Sequence, residues 1–185
     1  NLLVYAYDWR RNAGDTANNL NQFIADHFAS GEVNLVGHSL GGLVARAYAQ
    51  SHPERIDRLI AVGSPHQGVA QAYYLWEGVD LQGFDGWQKL AIRLLLRINR
   101  QNYNSEVAEV QAFLPSLRNI LPVYEFLKNT NGTVKPISSL VWTNNFLPDL
   151  NSQWGNILAK LQTLSGNWGN TTRYIQVGAR NTSDL

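Results

Sequence analysis

Gly37, Ser39 and Gly41 stand two residues apart in the run Asn34-Leu35-Val36-Gly37-His38-Ser39-Leu40-Gly41-Gly42. The spacing fits G-x-S-x-G, in which a serine sits at the apex of a sharp strand-to-helix turn. A serine so placed is a nucleophile: its hydroxyl attacks a carbonyl carbon and forms an acyl-serine. Glycine is expected at both flanking positions because a side chain there would collide with neighbouring backbone. The backbone N–H of Leu40, at the start of the following helix, is the expected oxyanion donor.

A serine nucleophile needs a base, and the base needs an orienting acid. Behind such an elbow the chain order is serine, then Asp or Glu, then His. Only His52 and His66 follow Ser39. His52 precedes Pro53 at the far end of the elbow helix, so it is expected to be remote. His66 lies in the loop Gly63-Ser64-Pro65-His66-Gln67-Gly68, where it reads as a pocket-wall or loop-fixing residue, with a direct catalytic part as the alternative. His38 is expected to point away from the nucleophile as a packed histidine. Asp184 follows the last strand, where a triad acid can sit, and equally fits a loop aspartate. The expectation is that acid and base both lie beyond Leu185. In Asp8-Trp9-Arg10, Arg10 could bind substrate; the simpler account is an Asp–Arg tie with Trp9 as packing.

The positioning elements follow from hydrophobic period. Leu2 to Tyr7 is a continuous apolar run, as a strand buried on both faces would be. Ala17, Leu20, Ile24 and Phe28 repeat at helical spacing, with a start at Gly14-Asp15-Thr16 and a stop at Ser30-Gly31. Val33 to Val36 reads as a strand, Leu43 to Tyr48 as the elbow helix, and Ile56 to Val62 as a third strand. Strands alternating with helices argue for a parallel α/β sheet, with ligands at the carboxyl ends of its strands. From Ala72 to Asn170 this alternation stops. Trp87, Leu90, Ala91, Leu94, Leu95 and Ile98 form an apolar helical stripe opposite Lys89, Arg93, Arg97 and Arg100. Such a basic amphipathic helix fits either an anionic membrane surface or an ordinary solvated face. A helix is expected from Glu106 to Leu114, stopped by Pro115, and another through Ile157, Leu158, Leu161 and Leu164. Arg173 to Val177 reads as a returning core strand. The division expected is a core of residues 1–71 and 171–185 and a mainly helical lid of residues 72–170.

Hydrophobic residues make up 44% of the 185 and charged residues 16%, which is globular composition. A formal net charge of +1 gives no case for nucleic acid as a partner. The absence of cysteine excludes disulfides, thiol catalysis and Cys-ligated zinc. Many Asn, Gln, Thr and Trp against few Lys lean towards an extracytoplasmic protein. The chain opens directly on an apolar run and stops just after a strand, so it reads as a piece of a longer protein.

The Gly-His-Ser-Leu-Gly-Gly elbow resembles that of α/β-hydrolase lipases. Tyr7-Asp8-Trp9-Arg10, Gly63-Ser64-Pro65-His66-Gln67-Gly68 and the Leu-Pro segment Leu114 to Pro122 are similar to segments of the lecithin:cholesterol acyltransferase group. That group includes phospholipid:diacylglycerol acyltransferases and lysosomal-type phospholipases. The resemblance implies an α/β-hydrolase fold with a lid, and acyl transfer from a lipid ester to water or an alcohol through acyl-Ser39. It implies a lipid or ester substrate; no cofactor is expected, peripheral contact with a lipid surface is the alternative that the basic helix leaves open, and the oligomeric state is open. The alternatives are another esterase on the same fold, such as a deacylase of lipid-anchored glycans, a peptidase, or a non-catalytic lipid-binding homologue.

Overall fold

The structure, a computed structural model, describes residues 2–78, 86, 89–90, 92–94, 103–166 and 171–178. Helix α1 (Ala13–His27) opens one residue before the expected start. Asn12 caps it, its Oδ1 accepting from Gly14 N at 2.8 Å, and Asn119 Oδ1 accepts from Ala13 N at 2.8 Å from far along the chain. Two of the donors that a helix start leaves over are thereby satisfied.

Strand β1 (Val33–His38) leads through Ser39 into helix α2 (Leu40–Ser51), and strand β2 (Ile56–Val62) follows. Strand β2 pairs in parallel with β1, with Gly37 opposite Ala61 and His38 opposite Val62. The α/β alternation is therefore realised, and its apolar faces meet in one core. Ala17, Leu20 and Ile24 of α1 pack with Val44, Tyr48 and Ala49 of α2 over Val33, Ile56 and Leu59.

Two expected elements differ from those formed. Leu2 to Tyr7 has no strand partner among the described residues, and Leu2 and Val4 are exposed. A strand needs a neighbour to take up its backbone hydrogen bonds. Here side chains anchor the segment instead: Tyr5 stacks on Tyr7, packs on Phe23 and donates its hydroxyl to Thr16 O at 3.2 Å. The helix expected through Ile157 to Leu164 is also absent. Leu161–Leu164 is strand β5 of the core sheet, parallel to β2, with Leu59 opposite Leu161 and Val62 opposite Leu164. Four residues are too few for helical and strand periods to be told apart, and the open edge of β2 decided the matter.

Between β2 and β5 lie α3 (Ala72–Gly78), α4 (Glu106–Phe113), α5 (Ser116–Asn119) and α6 (Phe146–Ser152). Helix α4 starts where Ser105 Oγ accepts from Ala108 N at 3.1 Å. Helices α3, α4 and α5 share a separate apolar cluster of Leu75, Trp76, Val110, Leu114 and Leu117. A second sheet joins β3 (Leu127–Asn129), β4 (Val134–Lys135) and β6 (Ile175–Val177). Strand β6 is the one expected to return to the core, and its partner is β3. Of the expected apolar stripe, Leu90 and Leu94 are exposed, and Ile92, outside the stripe, is buried. Trp87, Ala91, Leu95 and Ile98 lie outside the described residues.

Candidate active site

Ser39 has φ 52° and ψ −124°, the one positive φ at a non-glycine position among the described residues. Such a backbone costs of order ~1–3 kcal/mol and persists only where its surroundings enforce it. The surroundings here are explicit. Ser39 N donates to Val62 O at 2.9 Å, tying the apex to the end of the neighbouring strand. Gly42 N donates to Ser39 O at 3.1 Å, closing the first turn of α2. Ser39 occupies the N-cap position, where a serine hydroxyl ordinarily accepts from the helix start. In this backbone it makes no cap hydrogen bond. The hydroxyl is thereby separated from its usual N-cap partner.

The glycines around it are not equivalent. A Cβ on Gly37 would lie 2.5 Å from Gly41 O and 2.6 Å from Gly42 Cα, inside backbone. A Cβ on Gly42 would overlap Ser64 Oγ. A Cβ on Gly41 would meet only the Tyr7 hydroxyl, at an ordinary 3.5 Å. The steric requirement expected at Gly37 and Gly41 falls instead on Gly37 and Gly42. The reason is that the loop after β2 presses Ser64 against the second residue of the Gly41-Gly42 pair. Leu40 opens α2, so its N–H belongs to the first turn, which has no intrahelical acceptor. Tyr7, read from sequence as the end of a strand and the start of the Tyr7-Asp8-Trp9-Arg10 segment, brings its hydroxyl to the elbow. Burial, and then Tyr5, push its pKa above the ordinary phenol value.

Among the described residues no hydrogen bond joins Ser39 to any of the four histidines. His27 ends α1 and its Nδ1 pairs with Phe23 O. His52 closes α2, its Nδ1 3.3 Å from Tyr48 O and its ring stacked on Tyr48. Twelve residues of helix separate it from Ser39, roughly 18 Å at ~1.5 Å per residue. His38 is exposed at the end of β1, where a packed histidine was expected; its side chain lies on the sheet face opposite α1 and α2. His66 Nδ1 faces Arg46 Nη1 at 3.0 Å. A guanidinium has only donors, so Nδ1 accepts and the ring proton sits on Nε2. A triad base needs the reverse, an Nδ1–H held by a carboxylate and a free Nε2. Burial, and then the Arg46 charge, lower the pKa of His66 below the ordinary histidine value.

Asp8 and Arg10 are bonded to each other, Arg10 Nε to Oδ1 at 2.8 Å and Nη2 to Oδ2 at 2.7 Å. Arg10 also lies over the Phe113 ring at 4.5 Å, and its carbonyl accepts from Ser116 N at 3.1 Å. The pair therefore ties the Tyr7–Arg10 segment to the α4–α5 corner. Hydrogen bonding to Arg10 holds the Asp8 carboxyl below its usual pKa. Trp9 is 47% exposed. Asp184 lies outside the described residues. Among the described residues no group of three or more His, Asp or Glu side chains could hold a metal, and no helix is long and apolar enough to cross a membrane.

A parallel sheet, a strained serine at a strand-to-helix turn and glycines packed against its backbone define a hydrolase-type α/β core. The chain belongs to the family described as alpha/beta hydrolase fold, whose model matches residues 8–171. It is 26% identical over 160 residues to a 2-hydroxy-6-oxononadienedioate/2-hydroxy-6-oxononatrienedioate hydrolase from Burkholderia vietnamiensis, a match covering 85% of this chain and 52% of the relative. It is 44% identical over 57 residues to a 1-acylglycerol-3-phosphate O-acyltransferase from Arabidopsis thaliana, covering 31% of this chain and 10% of that protein. The chain thus spans about half the length of the first relative and a small part of the second. Solved structures similar to it include the Tle4-Tli4 complex, with TM-score 0.44, 14% identity and coverage of 84% of this chain and 42% of the other. A thermophilic esterase matches with TM-score 0.40, 14% identity and coverage of 87% and 64%.

Proposed function

We propose that the chain carries the nucleophile of a serine acyl hydrolase or O-acyltransferase acting on lipid esters, of the lecithin:cholesterol acyltransferase kind. The observation that carries this is Ser39, held at φ 52° with its hydroxyl uncapped at the start of α2. The resemblance at Tyr7–Arg10, Gly37–Gly42, Gly63–Gly68 and Leu114–Pro122 supports the lipid-ester class. The short Arabidopsis match to an O-acyltransferase supports it too.

In this mechanism Ser39 Oγ attacks the ester carbonyl carbon as its proton passes to a base. The carbonyl electrons move onto oxygen, which the Leu40 N–H stabilises; one such donor is worth about 3–4 kcal/mol in the transition state. The C–O bond breaks, the leaving alcohol takes the proton, and acyl-Ser39 remains. Water or an acceptor alcohol then attacks the same carbonyl and regenerates Ser39. Hydrolysis and transfer differ only in which acceptor arrives.

The segment from α3 to α6 serves as the lid. It makes up most of the roughly hundred-residue connection between the adjacent parallel strands β2 and β5, where short crossovers are the rule. Helix α6 rests on the elbow helix through Leu43, Leu147 and Leu150.

The test is a fluorophosphonate probe on the intact protein and on Ser39→Ala, followed by a substrate profile. That profile sets phospholipid, triacylglycerol and peptide substrates side by side, with and without an alcohol acceptor. Labelling lost in the variant and turnover of a lipid ester are expected. Labelling that persists in Ser39→Ala would overturn the assignment, and turnover confined to peptides would overturn the lipid class.

A further inference from the structure

Helix α2 buries an arginine that no sequence motif marks. Arg46 is 0% exposed, and no carboxylate among the described residues pairs with it. Its Nη2 donates to Leu150 O at 2.7 Å and to Asn151 Oδ1 at 2.8 Å. Its Nη1 donates to His66 Nδ1 at 3.0 Å. The guanidinium carbon lies 3.4 Å from the centroid of the Trp154 ring. Asn151 Nδ2 donates in turn to His66 O at 2.9 Å, and the His66 ring meets Trp154 edge-on at 5.3 Å. Three separate stretches of chain therefore converge on one guanidinium: the elbow helix, the loop after β2 and the end of α6.

A buried charge with no counter-charge is expensive, and an apolar side chain of similar volume is commonly the more stable choice. Burial pushes the Arg46 pKa down to about 10, a direct sign of that penalty. What an apolar residue could not do is fix the ring orientation and proton of His66 and, through it, the loop. That loop touches the nucleophile turn directly. Its first residue follows Val62, whose carbonyl holds Ser39 N, and Ser64 lies against Gly42.

We propose that Arg46 is a positioning residue for Ser39: it locks the Gly63–Gly68 loop onto the elbow helix by donating to His66 Nδ1, which keeps His66 neutral with its proton on Nε2. This rests on the serine mechanism above. Arg46 does not touch substrate and acts through the loop. The planar fork reaches Leu150, Asn151 and His66 at once, which a lysine ammonium could not do in this geometry.

The experiment uses the intact protein with Arg46→Met, Arg46→Lys, His66→Leu and His66→Asn. Nitrogen NMR of the His66 ring should show the Nε2–H tautomer in the wild type, with a midpoint below the ordinary histidine range. In Arg46→Met that midpoint should rise. The rate of fluorophosphonate labelling at Ser39 should fall by about tenfold or more in Arg46→Met, Arg46→Lys and His66→Leu, since small misplacements of reacting groups cost large rate factors. His66→Asn keeps an acceptor in reach of the guanidinium and should recover most of the rate lost in His66→Leu. Should Arg46→Met fail to fold, the two His66 variants decide the matter. An Nδ1–H tautomer in the wild type, or equal labelling in His66→Leu and His66→Asn, overturns the proposal. A wild-type protein that does not label overturns the serine mechanism and the positioning role with it, and the NMR result then reports separately whether Arg46 holds His66.

Discussion

Substituting alanine at each of the three glycines around Ser39 should have three different outcomes. At Gly37 the new methyl would lie 2.5 Å from Gly41 O and 2.6 Å from Gly41 C, and backbone on both sides leaves nothing to rotate away. Overpacking of this kind costs ~1–3 kcal/mol, and contact with backbone puts Gly37→Ala at about 3 kcal/mol or more. At Gly42 the principal obstacle is a side-chain oxygen, Ser64 Oγ, with Gly37 O at 3.0 Å behind it. Gly42→Ala should cost about 2 kcal/mol, and Ser64→Gly introduced with it should restore about half, a coupling within the ~0.5–3 kcal/mol seen for touching residues. At Gly41 the nearest atom is the Tyr7 hydroxyl at 3.5 Å, so no strain arises. Alanine is worth up to ~1 kcal/mol over glycine in a helix, so Gly41→Ala should range from neutral to about 1 kcal/mol more stable. Urea unfolding followed by far-ultraviolet circular dichroism gives these four values and that of Ser64→Gly alone, which closes the cycle. The reasoning is refuted if Gly41→Ala is as costly as Gly37→Ala, or if Ser64→Gly does nothing for Gly42→Ala.

Other consequences can be measured on the same protein. Ser39→Gly should raise stability by about 1 kcal/mol in the same unfolding assay, because glycine adopts φ 52° without penalty. The native pKa of His66 lies below its unfolded value, so the unfolded chain takes up the proton that the native ring refuses. Stability is therefore full above about pH 6.5 and is lost as pH falls from there through the lowered native value, by at most ~1.4 kcal/mol per pH unit. Urea midpoints against pH should show this slope and show it reduced in His66→Asn. Leu147→Ala should cost ~2–5 kcal/mol by opening a cavity between α6 and the elbow helix, read from its melting temperature, since Leu147 and Leu43 are both 0% exposed.

The elements whose periods are long were legible from the chain alone. Helix α1 repeats its apolar residues over four turns, and the strand–elbow–helix passage carries both a period change and a motif, so type and place were fixed locally. The short elements were not legible. Leu161–Leu164 fits a helix turn as well as a strand, and only the exposed edge of β2 made it β5. Ile175–Val177 reads as a strand in either sheet, and pairing with Leu127 to Asn129 placed it in the second.

The position of the candidate nucleophile was a property of the sequence, because a serine between glycines at a strand-to-helix junction is a local constraint. Its strain, and which glycine the packing forbids from changing, were decided by residues that come together only on folding: Val62 holding Ser39, Ser64 filling the space beside Gly42, and Tyr7 standing over Gly41. Arg46 was invisible for the same reason. Nothing in its neighbours along the chain distinguishes it from a surface arginine. Its burial, and its bonds to His66, Leu150 and Asn151, exist only because segments about twenty and a hundred residues away close around it.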